Sequence, residues 1–184
     1  MSEHLSDSEL LDRFHNPDTR NYSFDLITRK YQEKVYWHVR RIVIDHDDAD
    51  DITQETFVKI WKNLHGFKQE SQLFTWIYRI ATNESISFLR KKKKILFIPL
   101  IHIENKLERT LKDDYFFSGD KIQFKLQQAI LKLPEKQRIV FNLRYYDEMK
   151  YEDMSKVLDT SVGALKASYH HAAKKIEYYI KTTS

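Results

Sequence analysis

The sequence predicts an all-α protein of two small helical domains joined by a linker. Three observations carry that expectation. Three glycines and three prolines in 184 residues supply too little turn chemistry for a β-rich fold. Apolar residues recur at spacings of three and four along most of the chain. That periodicity lapses once, from Ile95 to about Asp120, where Pro99 and Gly119 interrupt a mixture of polar and apolar residues. We therefore expect a first domain over residues 1–94, a linker over 95–120 and a second domain over 121–184. The linker is too apolar for a purely flexible tether, and Glu104 to Lys112 within it suits a turn or two of helix.

Taken in order, Ser6 or Asp7 caps a short helix carrying Leu10, Leu11 and Phe14, and Asn16-Pro17 ends it. A long helix from about Asn21 to Ile44 follows, with the stripe Phe24, Ile27, Tyr31, Val35, Val39 and Ile42. Six carboxylates lie between Asp45 and Glu55: Asp45, Asp47, Asp48, Asp50, Asp51 and Glu55. Several suit the first turn of a third helix, which turns Ala49, Ile52, Thr56, Phe57 and Ile60 inward and runs to about Leu64. Gly66 to Glu70 makes a loop, and Ser71 suits the cap of a fourth helix to about Arg90, followed by lysines through Lys94. Ile122, Leu126, Ile130 and Leu133 open the second domain. Pro134 suits a first helical position, with Ile139, Val140 and Leu143 behind it. Tyr151, Met154, Val157 and Leu158 form a short helix, Asp159-Thr160-Ser161 breaks it, and Ser161 caps a longer helix with Val162, Leu165, Ala172, Ala173 and Ile176 inward. A short helix, a tight turn and a longer basic helix is the pattern of a helix-turn-helix.

Composition narrows the chemistry. The chain has no cysteine, so neither a disulfide nor a thiolate metal site can form, which fits a reducing cytoplasm. No run approaches the roughly 18 apolar residues of a membrane span, and the first ten residues lack a signal-peptide core. A cytoplasmic protein without membrane insertion is expected. With three glycines no glycine-rich phosphate cradle can exist, and no HExxH or nucleophile–base arrangement is present. We expect no cofactor, no metal and no catalysis. The stretch His46 to Asp51 could be imagined as a metal site, but a helix N-terminus with an acidic partner-binding face explains it better.

Two further patterns suit nucleic acid. Trp76, Arg79 and Asn83 are spaced by three and four, so they share a helix face beside the loop aromatic Phe67. Rings stack on unpaired bases while lysines and arginines meet phosphates, and Lys68, Arg90 and Lys91 lie close in sequence. Trp76 and Tyr78 as plain core residues is the competing reading. On the last helix Lys166, Ser168, Tyr169, His170, His171 and Lys174 point at least partly outward, where a recognition helix reaches base edges and phosphates.

Three stretches, in this order, resemble the sigma factors of the extracytoplasmic-function (ECF) group, the compact initiation subunits of bacterial RNA polymerase. They are Asp48 to Trp61, Phe74 to Asn83, and Leu133 through Met154 to Lys166. The resemblance implies a two-domain all-α promoter-recognition factor. By it, Asp48, Asp51, Gln54, Glu55 and Trp61 fall on the surface that docks the clamp of the largest polymerase subunit, and the second domain meets the flap of the second largest. It implies −10 element contacts from Phe67, Lys68, Trp76, Tyr78, Arg79, Asn83, Arg90 and Lys91. The −35 contacts would come from Lys166, Ser168, Tyr169, His170, His171 and Lys174. The chain departs from the family where Ser168 and His171 stand in place of usual arginines, Ala164 in place of a frequent threonine, and Asp159 in place of a common glycine. Promoter DNA, core polymerase and an anti-sigma factor are the partners this resemblance implies. A polymerase-independent helix-turn-helix regulator and an acidic adaptor that binds no DNA are the alternatives.

Overall fold

The computed structural model describes residues 5–96 and 121–183, with the backbone alone over 93–96. The expected linker, with its turn of helix at 104–112, lies outside the described residues. Eight α-helices appear among the described residues, and no strand. They are α1 (Asp7–His15), α2 (Arg20–Val43), α3 (His46–Asn63), α4 (Leu73–Leu96), α5 (Lys121–Leu131), α6 (Glu135–Tyr145), α7 (Tyr151–Leu158) and α8 (Val162–Thr182).

Local chemistry sets these boundaries. Ser6 and Glu9 form a reciprocal capping box that starts α1, and the Asp7 carboxylate accepts from Lys30 and the Tyr31 hydroxyl, pinning α1 on α2. Asp45 caps α3 by accepting from the Asp48 amide. Between α2 and α3 the buried Ile44 takes φ 69°, a conformation that costs a β-branched residue roughly 1–3 kcal/mol and persists only where packing dictates it. Two expectations shift. Ser71 does not cap α4, because its hydroxyl donates to the Gln72 carbonyl instead. Pro134 stands one place before the helix, where its carbonyl accepts the Arg138 amide.

Helices α2, α3 and α4 pack together with α1 across them, burying Ile27, Val35, Val39, Ile52, Ile60 and Ile77. Helices α5, α6 and α8 enclose a smaller core of Ala129, Ile130, Leu133, Phe141, Ala172 and Ile176. The two units share apolar packing. Ile139, Val140, Leu143, Met154, Val157 and Leu165 join the first core, because α7 lies along α4 and α6 touches α2. A third small cluster joins Ile44 to Leu131 and Phe124.

The helix-turn-helix depends on two terminal devices. Asp159 closes α7 at φ 50°, ψ 50°, the left-handed region that aspartate tolerates. The Ser161 hydroxyl then accepts the Ala164 amide and starts α8. Ser161→Ala should lower stability by about 1 kcal/mol in urea unfolding, whereas Ser161→Asp should hold it. Equal loss in both variants would assign the effect to something other than the cap.

Candidate nucleic-acid interface

The exposed face of α3 is acidic at one end and apolar at the other. Ala49, Ile52, Thr56, Phe57 and Ile60 are buried, so Asp51, Gln54, Glu55 and Val58 emerge together at spacings of three and four. Val58 is 51% exposed, an apolar residue that sequence reasoning passed over. Its absence from the inward stripe was the available signal. Asp48 differs from its neighbours because Lys92 of α4 pairs with it. Trp61 departs more clearly from a docking role. Its ring packs edge-on against Phe14 and Phe24 at 5.5 and 5.0 Å, so much of it holds α1 and α2 to α3.

The loop after α3 and the start of α4 enclose a pocket of about 410 Å³, lined by Gly66, Phe67, Lys68, Glu70, Ser71, Thr75, Trp76, Arg79 and Lys156. Phe67 is half-buried, with its ring 5.1 Å from that of Trp76 at an angle of 39°. These two aromatics and the exposed Lys68 and Arg79 form one surface, the combination that takes an unstacked base and its phosphate. Asn83, Arg90 and Lys91 continue it as exposed residues along α4.

Tyr78 is corrected. It is 1% exposed, with its hydroxyl within reach of the Lys34 carbonyl and the Asp147 carboxylate, so it cannot meet DNA in this arrangement. Burial first, and Asp147 second, push that hydroxyl well above its ordinary pKa, so it stays a donor. The cause is that α4 is enclosed by α2, α3 and α7 and therefore buries more than one stripe.

On α8, Lys166, His170, His171 and Lys174 are exposed and Ser168 is half-buried. Lys166 lies 5.7 Å from the Tyr151 ring centre. Tyr169 is the second correction. Its ring stacks on Phe141 at 5.6 Å and 12°, which commits its face to packing α8 on α6. Among the described residues, no group of three or more histidines and carboxylates is placed to hold a metal ion. None of their helices is long and apolar enough to cross a membrane.

Comparison with known proteins gives this geometry a family. The model of sigma-70 region 2 matches residues 27–95, and that of sigma-70 region 4 matches residues 123–176. Together they take in about two-thirds of the chain. The chain belongs to the sigma-70 family, in its ECF group. Among relatives of this sigma factor, the RNA polymerase sigma-H factor of Pseudomonas aeruginosa is 29% identical over 93% of this chain and 92% of its own length. The ECF sigma-E factor of Escherichia coli K12 is 29% identical over 96% and 95%. The ECF sigma factor SigW of Bacillus subtilis is 29% identical over 82% and 85%. The fold matches CnrH, solved with the cytosolic domain of CnrY, at a TM-score of 0.70 and 21% identity over 97% of this chain and 99% of that one. It matches the sigma factor RpoE of Bartonella quintana, solved with the anti-sigma factor NepR, at 0.66 and 20% over 86% and 96%. In this sigma factor α2 to α4 therefore belong to region 2, and α5 to α8 to region 4.

Proposed function

We infer that this chain binds core RNA polymerase and directs promoter-specific initiation, holding the −10 element with region 2 and the −35 element with region 4. The observation that carries the reading is the presence of both regions, in order, on a fold whose α3 keeps an acidic face unused by its own packing. Its contribution is binding energy, while polymerase supplies the catalysis. Asp51, Gln54, Glu55 and Val58 face the clamp of the largest subunit, and region 4 faces the flap of the second largest. Phe67, Lys68, Trp76, Arg79 and Asn83 capture unpaired −10 bases, with Arg90 and Lys91 on the backbone. Lys166, Ser168, His170, His171 and Lys174 serve the −35 duplex. The protein works in the cell interior with polymerase, and an anti-sigma factor fits as its regulator. A polymerase-independent regulator would need only α7 and α8, leaving the acidic face and the aromatic pocket without a role.

Copurification with core polymerase tests this reading. The full chain should elute with core enzyme at equal stoichiometry, and failure to do so at low salt would refute it. A second consequence concerns phosphate contacts. In holoenzyme, Lys174→Ala should weaken binding evenly across promoter sequences. It should also flatten the dependence of log affinity on log salt by about 0.9, the share of one phosphate. An unchanged slope would take Lys174 off the backbone.

A further inference from the structure

Regions 2 and 4 meet through one buried polar cluster centred on Asp147, in the turn between α6 and α7. Its side chain is 6% exposed. Three groups of region 2 converge on it. His38 Nδ1 of α2 lies at 3.1 Å, the Arg41 guanidinium of α2 at 3.5 Å, and the Tyr78 hydroxyl of α4 at 3.4 Å. A carboxylate only accepts, so His38 carries a proton on Nδ1, while its Nε2 meets the Thr82 hydroxyl at 2.8 Å. Arg41 also lies 4.4 Å over the ring of Tyr146, the residue before Asp147. Around this centre Asn142 donates to the Arg41 carbonyl, Thr75 donates to Asp153, and the strained Ile44 packs on Leu131.

This closure conflicts with simultaneous use of both DNA-binding surfaces. Lys156 of α7 lines the Phe67–Trp76 pocket. Asn83 and Arg90 of α4 share a cleft of about 630 Å³ with Ala164 and Ser168 of α8. That volume suits a small ligand, whereas a recognition helix must enter a major groove roughly 12 Å wide. Elements centred near −10 and −35 lie about 25 base pairs apart, roughly 85 Å at 3.4 Å per pair. Surfaces that line one cleft cannot reach both. The chain between Leu96 and Lys121, about 24 residues at roughly 3.5 Å each, is long enough to let the units separate.

We propose that the Asp147 cluster is an interdomain latch that keeps the free sigma factor closed against promoter DNA and that opens when core polymerase binds. The proposal rests on the functional reading above. The closed state depends on Asp147 because Arg41 and the His38 N–H are shielded from water there, and removing their shared acceptor leaves them uncompensated. In the open state water serves all of them. Loss of the carboxylate therefore penalises closure and leaves the open form nearly untouched, so the population shifts.

The absence of cysteine allows a direct test. Tyr22→Cys and Tyr178→Cys, at positions 59% and 71% exposed on opposite units, carry spin or fluorescent labels in the full chain. The unlatched variants are Asp147→Asn and, from the other side of the interface, Arg41→Gln. The free parent should show one short interlabel distance. Each variant should move the closed-to-open ratio roughly ten-fold or more toward long distances with unchanged helical content. Each should also bind a mixed-sequence duplex at low salt about ten-fold more tightly than the parent without polymerase. Adding core polymerase to the parent should produce the same long distance. A parent already open, or variants as closed as the parent, would overturn the latch. Opening with no gain in duplex binding would overturn the occlusion. Opened variants together with a parent that ignores core polymerase would keep the latch and refute the polymerase reading instead.

Discussion

Asp51→Lys with Glu55→Lys should abolish holoenzyme assembly while the helical signal stays intact. Both side chains are exposed on α3, one turn apart, on the face opposite the buried Ala49, Ile52, Thr56 and Ile60. Lysine is a good helix former, and both positions lie past the first turn, where the helix dipole has little hold. Folding therefore has little reason to change. Binding does, because removing one partner of a desolvated interfacial charge pair costs roughly 2–5 kcal/mol, and reversal adds repulsion. Two such losses exceed about 4 kcal/mol, close to a thousand-fold in affinity. The check is gel filtration with core polymerase beside circular dichroism of the free variant. Assembly at normal affinity would move the docking surface off this face of α3.

The second large effect is on strand opening. Trp76→Ala should leave duplex binding by holoenzyme nearly intact and cut open-complex formation by about 5- to 150-fold, since stacking on one base is worth roughly 1–3 kcal/mol. The ring forms one side of the Phe67 pocket next to Lys68 and Arg79, and the loss of stacking appears only once a base leaves the duplex. Trp76 also packs partly on the core, so its stability has to be followed in the same preparation. Permanganate reactivity of promoter thymines reports opening directly. Normal reactivity in a folded Trp76→Ala protein would contradict the role.

Much of this architecture was legible in the residues. Every apolar stripe of α2 and α3 lies inward as its spacing predicts, because each helix turns one main face to its neighbours. The caps at Ser6 and Ser161 were readable because the chemistry is local, a side-chain oxygen meeting an amide three residues on. What stayed hidden depends on long-range packing. Tyr78 sits beside the outward Arg79, and only the enclosure of α4 by α2, α3 and α7 explains its burial. Trp61 and Tyr169 follow motif spacing into the binding set, yet their rings have partners from α1, α2 and α6. His38 and Asp147 could not be paired from the sequence at all. They lie 109 residues apart and neither belongs to a periodic pattern.

Run-off transcription bears most directly on the central claim that this chain gives core polymerase its promoter choice. Core enzyme with the full chain, on fragments of the source genome, should yield discrete transcripts with fixed start sites. Core enzyme alone, or with the Asp51→Lys, Glu55→Lys protein, should yield none of them. No promoter-specific transcript from the wild-type mixture, together with sequence-specific DNA binding by the chain alone, would contradict the account and make the protein a polymerase-independent regulator.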